Sequence, residues 1–123
     1  MSTTLWTTTI AQVGGEAGEM IDAGVLILFG DPVPQALADI SIVHTGASAV
    51  SRALQPGDVF EFAGRSYTVD EVGGHAMTNL IDLGHIVLYV NQPDQKLLPG
   101  AIKVTGPVFD VPAVGETISF VGA

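Results

Sequence analysis

Fifteen glycines and seven prolines, spread along 123 residues, cut this chain into short apolar pieces. The run Val25–Phe29 is far short of the roughly twenty apolar residues that a membrane-spanning helix requires. Between the breaks stand Val, Ile, Phe and Thr, which fit a pleated, half-buried surface. Many short strands joined by turns are predicted, and with them an all-β protein.

Leu5 to Val13 reads as a first strand, ended by Gly14-Gly15, and an acidic turn region from Glu16 to Asp22 follows. Val25–Phe29 is continuously apolar, as in a strand covered on both faces. Pro34 to Ala38 suits one helical turn with proline at its start, and strand resumes from Asp39 to Thr45. Val59 to Ala63 and Ser66 to Val72 alternate around Gly64-Arg65, the signature of a hairpin whose Phe60, Phe62, Tyr67 and Val69 face inward. Ala76, Met77, Leu80 and Ile81 fall at helical spacing, with Gly84 placed to end the helix in a left-handed conformation. Strands His85 to Val90, Ile102 to Thr105 and Thr117 to Val121 bring the count to about eight.

About eight strands and one or two short helices must bury their apolar faces against each other. The expected architecture is therefore a sandwich or a closed β-barrel, formed as one domain over residues 1–123. No internal repeat or linker is evident.

Composition excludes several chemistries. The chain has no cysteine, so disulfides, thiolate metal sites and cysteine nucleophiles are absent. Its formal charge is −9, and Arg52, Arg65, Lys96 and Lys103 are the whole basic complement. Nucleic-acid binding needs clustered cations, so protein partners with basic faces are the better expectation. The N-terminal stretch Met1 to Trp6 has no basic region followed by an apolar one, which leaves the cytoplasm as the expected compartment, without membrane insertion.

Histidine is then the informative residue class. His44 ends an apolar strand, shares a face with Ile40 and Ile42, and precedes the small residues Thr45-Gly46-Ala47-Ser48. A ring at the core margin can anchor one nitrogen and offer the lone pair of the other to solvent, as a phosphoryl acceptor requires; the competing reading is a strand-end histidine bonded to backbone. His85 follows Gly84 on the face of Val87 and Tyr89, with a supporting or purely structural role equally open. His75 lies near a helix start, where positive charge would oppose the helix dipole, and reads as structural. No His-x-His or His-x-x-x-His pair prepares a metal site, and no GxGxxG, Walker-type or GxSxG element occurs, so neither cofactor nor metal is expected.

Several segments in order carry a family resemblance. They are Val25–Gly30 with the proline-bearing Asp31-Pro32-Val33-Pro34, Ile40–His44, Leu54-Gln55-Pro56-Gly57-Asp58, Asn79–Ile86, and Pro99-Gly100 with Val104-Thr105-Gly106-Pro107. Taken together, they make the chain resemble the glucitol/sorbitol-specific IIA component of the sugar phosphotransferase system over nearly its whole length. The run Thr45–Ala49 departs from the pattern in being small and uncharged.

The resemblance implies a closed β-barrel and a phosphoryl carrier with His44 as the phosphorylated residue. It implies HPr as donor and a cysteine of the membrane-associated IIB/IIC permease as acceptor. Thr45, Ser48 and the backbone N–H groups around Gly46 are then candidate donors to the phosphoryl oxygens, and His85 a candidate supporting donor. The partner interface should be apolar at its centre, with Asp31 and Asp39 on an acidic rim. The alternatives are a non-catalytic regulatory or binding module on the same barrel, and a barrel that binds a small ligand or metal.

Overall fold

Period-two burial fixes which way each strand faces. In the strand Val59–Phe62, Phe60 and Phe62 are buried while Glu61 is exposed, and across the hairpin Tyr67 and Val69 are buried while Ser66, Thr68 and Asp70 are exposed. The computed structural model describes residues 3–122; Met1, Ser2 and Ala123 lie outside it. Its elements are β1 (Thr3–Val13), α1 (Ala17–Asp22), β2 (Val25–Gly30), α2 (Gln35–Ala38), β3 (Ile42–Thr45), β4 (Val59–Phe62), β5 (Arg65–Val72), α3 (Ala76–Leu83), β6 (Ile86–Val90), β7 (Ala101–Thr105) and β8 (Thr117–Gly122).

The eight strands close into a barrel in the order β1-β3-β2-β6-β7-β5-β4-β8. Pairs β2–β3 and β6–β7 are parallel and the remaining pairs antiparallel. Closure leaves no strand edge open to another chain. The interior is filled by aromatic and branched side chains, among them Trp6, Leu28, Phe60, Tyr67, Ile86 and Phe120, with Phe60 and Phe120 ring centroids 4.9 Å apart.

Three short helices are present among the described residues, one more than the most expected from sequence. The added one is α1, which replaces the predicted acidic turn. Its signal is Ala17 and Ile21, four residues apart and both buried, so the helix seats one face on the barrel while Glu19 in its first turn favours the helix dipole. α3 matches its expected span and ends at Gly84, whose φ of 62° is left-handed.

No internal repeat was evident from the sequence, yet the barrel is built from two corresponding units. One is β8, β1, α1, β2 and β3; the other is β4, β5, α3, β6 and β7. Gly14 N–H bonds Ser41 O and Glu16 N–H bonds Asp39 O, just as Gly73 N–H bonds Ala101 O and His75 N–H bonds Pro99 O. Gly115 N–H bonds Ile10 O and Ile10 N–H bonds Glu116 O, as Gly57 N–H bonds Val69 O and Val69 N–H bonds Asp58 O. The β1–β3 and β5–β7 pairs carry bulges at matching places, between Ile10 and Gln12 and between Val69 and Glu71. A Cβ added to Gly14 would lie 2.2 Å from Ala38 O, and one on Gly73 2.4 Å from Leu98 O, so both units need glycine where the helix crosses the returning chain. The sequence carries the same repeat: Val13-Gly14-Gly15, Ile21-Asp22, Gly24, Ile42 and Thr45-Gly46 answer to Val72-Gly73-Gly74, Ile81-Asp82, Gly84, Ile102 and Thr105-Gly106.

Candidate functional site

Strand β3 carries His44 between two neighbours, with Ile10 of β1 on one side and Gly30 of β2 on the other. Its side chain turns to the end of the barrel that α3 covers. The ring meets Trp6 edge-on at a centroid distance of 5.3 Å, and the residue is only 2% exposed.

Both ring nitrogens are engaged. Nε2 lies 2.7 Å from the carbonyl oxygen of Gly84, and Nδ1 lies 2.8 Å from Oγ1 of Thr8. A carbonyl can only accept, so Nε2 carries a proton and donates it. In the neutral ring, Nδ1 then holds a lone pair and accepts from the Thr8 hydroxyl. Burial lowers the pKa of His44 below the usual histidine value of 6.5, opposed by the Gly84 hydrogen bond, so the neutral form is favoured. The expectation of one anchored and one solvent-facing nitrogen is thus corrected. The helix C-terminus after α3 supplies a carbonyl that the β3 sequence alone does not announce.

Outside the ring lies an open cleft of about 400 Å³. Phe29, Gly30, Asp31 and Pro32 form one wall, Thr45 to Val50 a second, and Leu80 to Gly84 a third. Ile81 and Leu83 are 64% and 52% exposed, which places large apolar side chains on its lip. Asp31 and Asp82 line it, and none of Arg52, Arg65, Lys96 or Lys103 does. Asp39, expected on the rim, does not line the cleft and accepts a bond from Gln35 Nε2.

Thr45 is exposed at the cleft, and its hydroxyl has no intramolecular partner among the described residues. Gly46 adopts a φ of 72°, and among the described residues its N–H and that of Ala47 have no intramolecular acceptor. Ser48 is already committed: its Oγ accepts Thr7 N–H and donates to Ala49 O. His85 has no hydrogen bond to His44. Its Nδ1 lies 3.2 Å from Leu28 O and its ring stacks on Phe29 at 4.4 Å, so it supports the cleft wall from behind. His75 is exposed at the N-terminus of α3, with no capping bond from its side chain. Among the described residues, no three His, Asp or Glu side chains converge as metal ligands would.

The second unit holds a counterpart of this site. Val104 pairs with Val69 and Val90 as His44 pairs with Ile10 and Gly30. Gly24, left-handed at φ 80°, follows α1 as Gly84 follows α3, and its carbonyl accepts from Gln92 Nε2. A Cβ on Gly24 would strike Gln92 Nε2 at 2.7 Å, and one on Gly84 would strike His44 Cε1 at 2.8 Å. Gln92 fills one place and the His44 imidazole the other, so only one of these two sites carries an ionisable ring.

Residues 5–119 match the family model described as PTS system glucitol/sorbitol-specific IIA component. The chain belongs to that family. Its curated relatives include the glucitol/sorbitol-specific EIIA components of Shigella flexneri and Escherichia coli (strain K12), each 32% identical over 96% of this chain and 95% of theirs. The crystal structure of a PTS system IIA component from Enterococcus faecalis V583 has the same fold, with a TM-score of 0.75 and 21% identity over 91% of this chain and 96% of that one. As a glucitol/sorbitol-type IIA component the chain is part of a phosphotransferase, in a family of phosphoryl carriers. No helix among the described residues of this IIA component is long and apolar enough to cross a membrane.

Sequence reasoning named His44, Thr45, Ser48, His85 and Gly46 but missed Thr8, Trp6, Asp82 and the Gly84 carbonyl. Thr8 had a faint signal: it lies on the inward face of β1 between Trp6 and Ile10, where a polar side chain needs a buried partner.

Proposed function

We propose that His44 is the phosphoryl acceptor of this IIA component, that phospho-HPr loads it, and that the cognate IIB unit unloads it during glucitol or sorbitol uptake, all in the cytoplasm. The observation that carries this reading is a neutral, doubly hydrogen-bonded imidazole at the base of an open cleft. A neutral ring has one unprotonated nitrogen for in-line attack on phosphorus, and that nitrogen becomes free when the ring releases one of its two resting hydrogen bonds.

The transition state spreads charge over the phosphoryl oxygens, and hydrogen-bond donors at the cleft stabilise it. The Thr45 hydroxyl and the N–H groups of Gly46 and Ala47 supply them. Ser48 holds the Gly46 segment against β1 through the reciprocal bonds between Ser48 and Thr7. With Asp31 and Asp82 at the cleft and no cation lining it, positive charge comes from the docking partner, which also favours rapid release.

Incubation with phosphoenolpyruvate, Enzyme I and HPr tests this. Acid-labile, alkali-stable label on the wild type should vanish in His44→Ala and survive in His75→Ala. Equal labelling of His44→Ala would overturn the assignment.

A further inference from the structure

We propose that Trp6 is a further residue of the phosphoryl-transfer site: its indole N–H donates a hydrogen bond to an oxygen of the phosphoryl group carried by His44. The inference rests on the proposed role of His44. Trp6 is the only tryptophan of the chain and is 2% exposed, packed inside the barrel against Phe120 at 5.9 Å between ring centroids. A buried indole N–H ordinarily donates to a partner. Among the described residues Trp6 Nε1 has no acceptor, yet no unpaired side-chain nitrogen or oxygen there is sealed from solvent. The small part of Trp6 that solvent reaches therefore includes its N–H, and the opening that Trp6 lines is the His44 cleft.

That position suits a phosphoryl oxygen. The indole and imidazole rings stand 5.3 Å apart between centroids with their planes at 87°, so a group attached to the imidazole rim comes alongside the indole. Asp31 and Asp82 line the same cleft and no cation does, so from this chain only neutral donors meet the charge of the transferring group. A neutral donor fixed where water is scarce acts more strongly on that charge than one in bulk solvent. One that is unpaired at rest also gives up no bond to make the new one. Trp6 keeps its proton throughout. The bond between phosphorus and the donor's ring nitrogen breaks as the bond to His44 forms, the electron pair of the old bond leaves on the donor ring, and the indole N–H only shares its hydrogen with an oxygen.

The doubled barrel shows the same position with its donor already used. Trp6 pairs with Phe120 as Arg65 pairs with Phe62. Arg65 Nη1 donates to Val108 O at 2.7 Å, and Arg65 Nη2 lies 3.7 Å from Asp110 Oδ2, so the guanidinium ties the second unit to its own loop. In the first unit the corresponding loop is tied to β1 through Ser48 and Ser51 instead, which leaves the indole out. The donor at this place is spent in one unit and free in the unit that holds His44.

A single tryptophan makes the test direct. In nitrogen–proton NMR of the wild type, the indole proton should move downfield and exchange more slowly with solvent once His44 is loaded. Trp6→Phe keeps an aromatic ring and loses the N–H; its kcat for loading from phospho-HPr should fall about tenfold, the worth of one hydrogen bond to a charged group, with KM little changed. Phe120→Leu disturbs the same packing and keeps the indole N–H, so it should load at close to the wild-type rate. Should Trp6→Phe not fold, the wild-type spectra decide alone. An indole proton that neither shifts nor slows in the phosphoprotein, a folded Trp6→Phe that loads at the wild-type rate, or a Phe120→Leu as slow as Trp6→Phe overturns the proposal. Each of these leaves His44 as the acceptor, whereas absence of label from His44 refutes the function on which the proposal rests.

Discussion

His44 Nε2 and the Gly84 carbonyl oxygen, forty residues apart in sequence, lie 2.7 Å apart in space. The contact ties the end of a strand to the end of a helix and holds the ring under a glycine that has no room for a side chain. The cleft and its working ring are therefore one mechanical unit.

Gly84→Ala tests that unit. The left-handed φ costs an L-residue about 1–2 kcal/mol, and the added methyl would lie 2.8 Å from His44 Cε1 and 2.9 Å from Gly30 Cα. Urea unfolding should show at least that loss, and loading of His44 should fall together with it. Gly46→Ala, also left-handed but with open space around its Cβ, should cost only the conformational part and leave the ring in place.

Stability should depend on pH through His44. Burial lowers its pKa in the folded state, so the unfolded chain binds this proton more readily. The resulting stabilisation is fully present above about pH 6.5 and is lost as pH falls through the lower folded-state value. Unfolding midpoints measured from pH 7.5 down to 5 should drop more steeply for the wild type than for His44→Gln. Parallel curves would contradict the burial argument.

Asp58 anchors the segment that leads from the cleft back into β4. It is 1% exposed and accepts from Arg52 Nη1 at 2.9 Å, Arg52 Nη2 at 2.8 Å and Gln55 N–H at 2.9 Å. Arg52→Met removes the cation and leaves that carboxylate buried with fewer donors, so the denaturant midpoint should fall. Adding Asp58→Asn to it should recover part of the loss, because a neutral amide is cheaper to bury.

Ile81 and Leu83, exposed on the lip of the cleft, are the apolar side chains that a partner docking over His44 would cover. Exposed substitutions change stability by no more than about 0.5 kcal/mol, so Ile81→Ser with Leu83→Ser should melt near the wild type. Transfer from phospho-HPr should nevertheless slow by about tenfold, as loss of a central apolar anchor does. An unchanged rate would place the partner elsewhere.

Glycine and proline punctuation together with strand alternation made the eight strands, the inward set Phe60, Phe62, Tyr67 and Val69, and the α3 helix legible from sequence. They also put His44 at a strand end beside small residues, because those features are local and repeat with the backbone period. The helix α1 was missed because its buried face is only Ala17 and Ile21, too short a pattern to outweigh the flanking glycines and acids. What only tertiary structure decided is the state of the ring. Thr8 and Gly84 meet it from 36 and 40 residues away, through one hydroxyl and one carbonyl that no spacing rule brings together. The doubling of the barrel was legible and went unread: Val13-Gly14-Gly15, Ile21-Asp22 and Thr45-Gly46 recur as Val72-Gly73-Gly74, Ile81-Asp82 and Thr105-Gly106. Local pattern sets which way a side chain points, and barrel closure sets what it meets there.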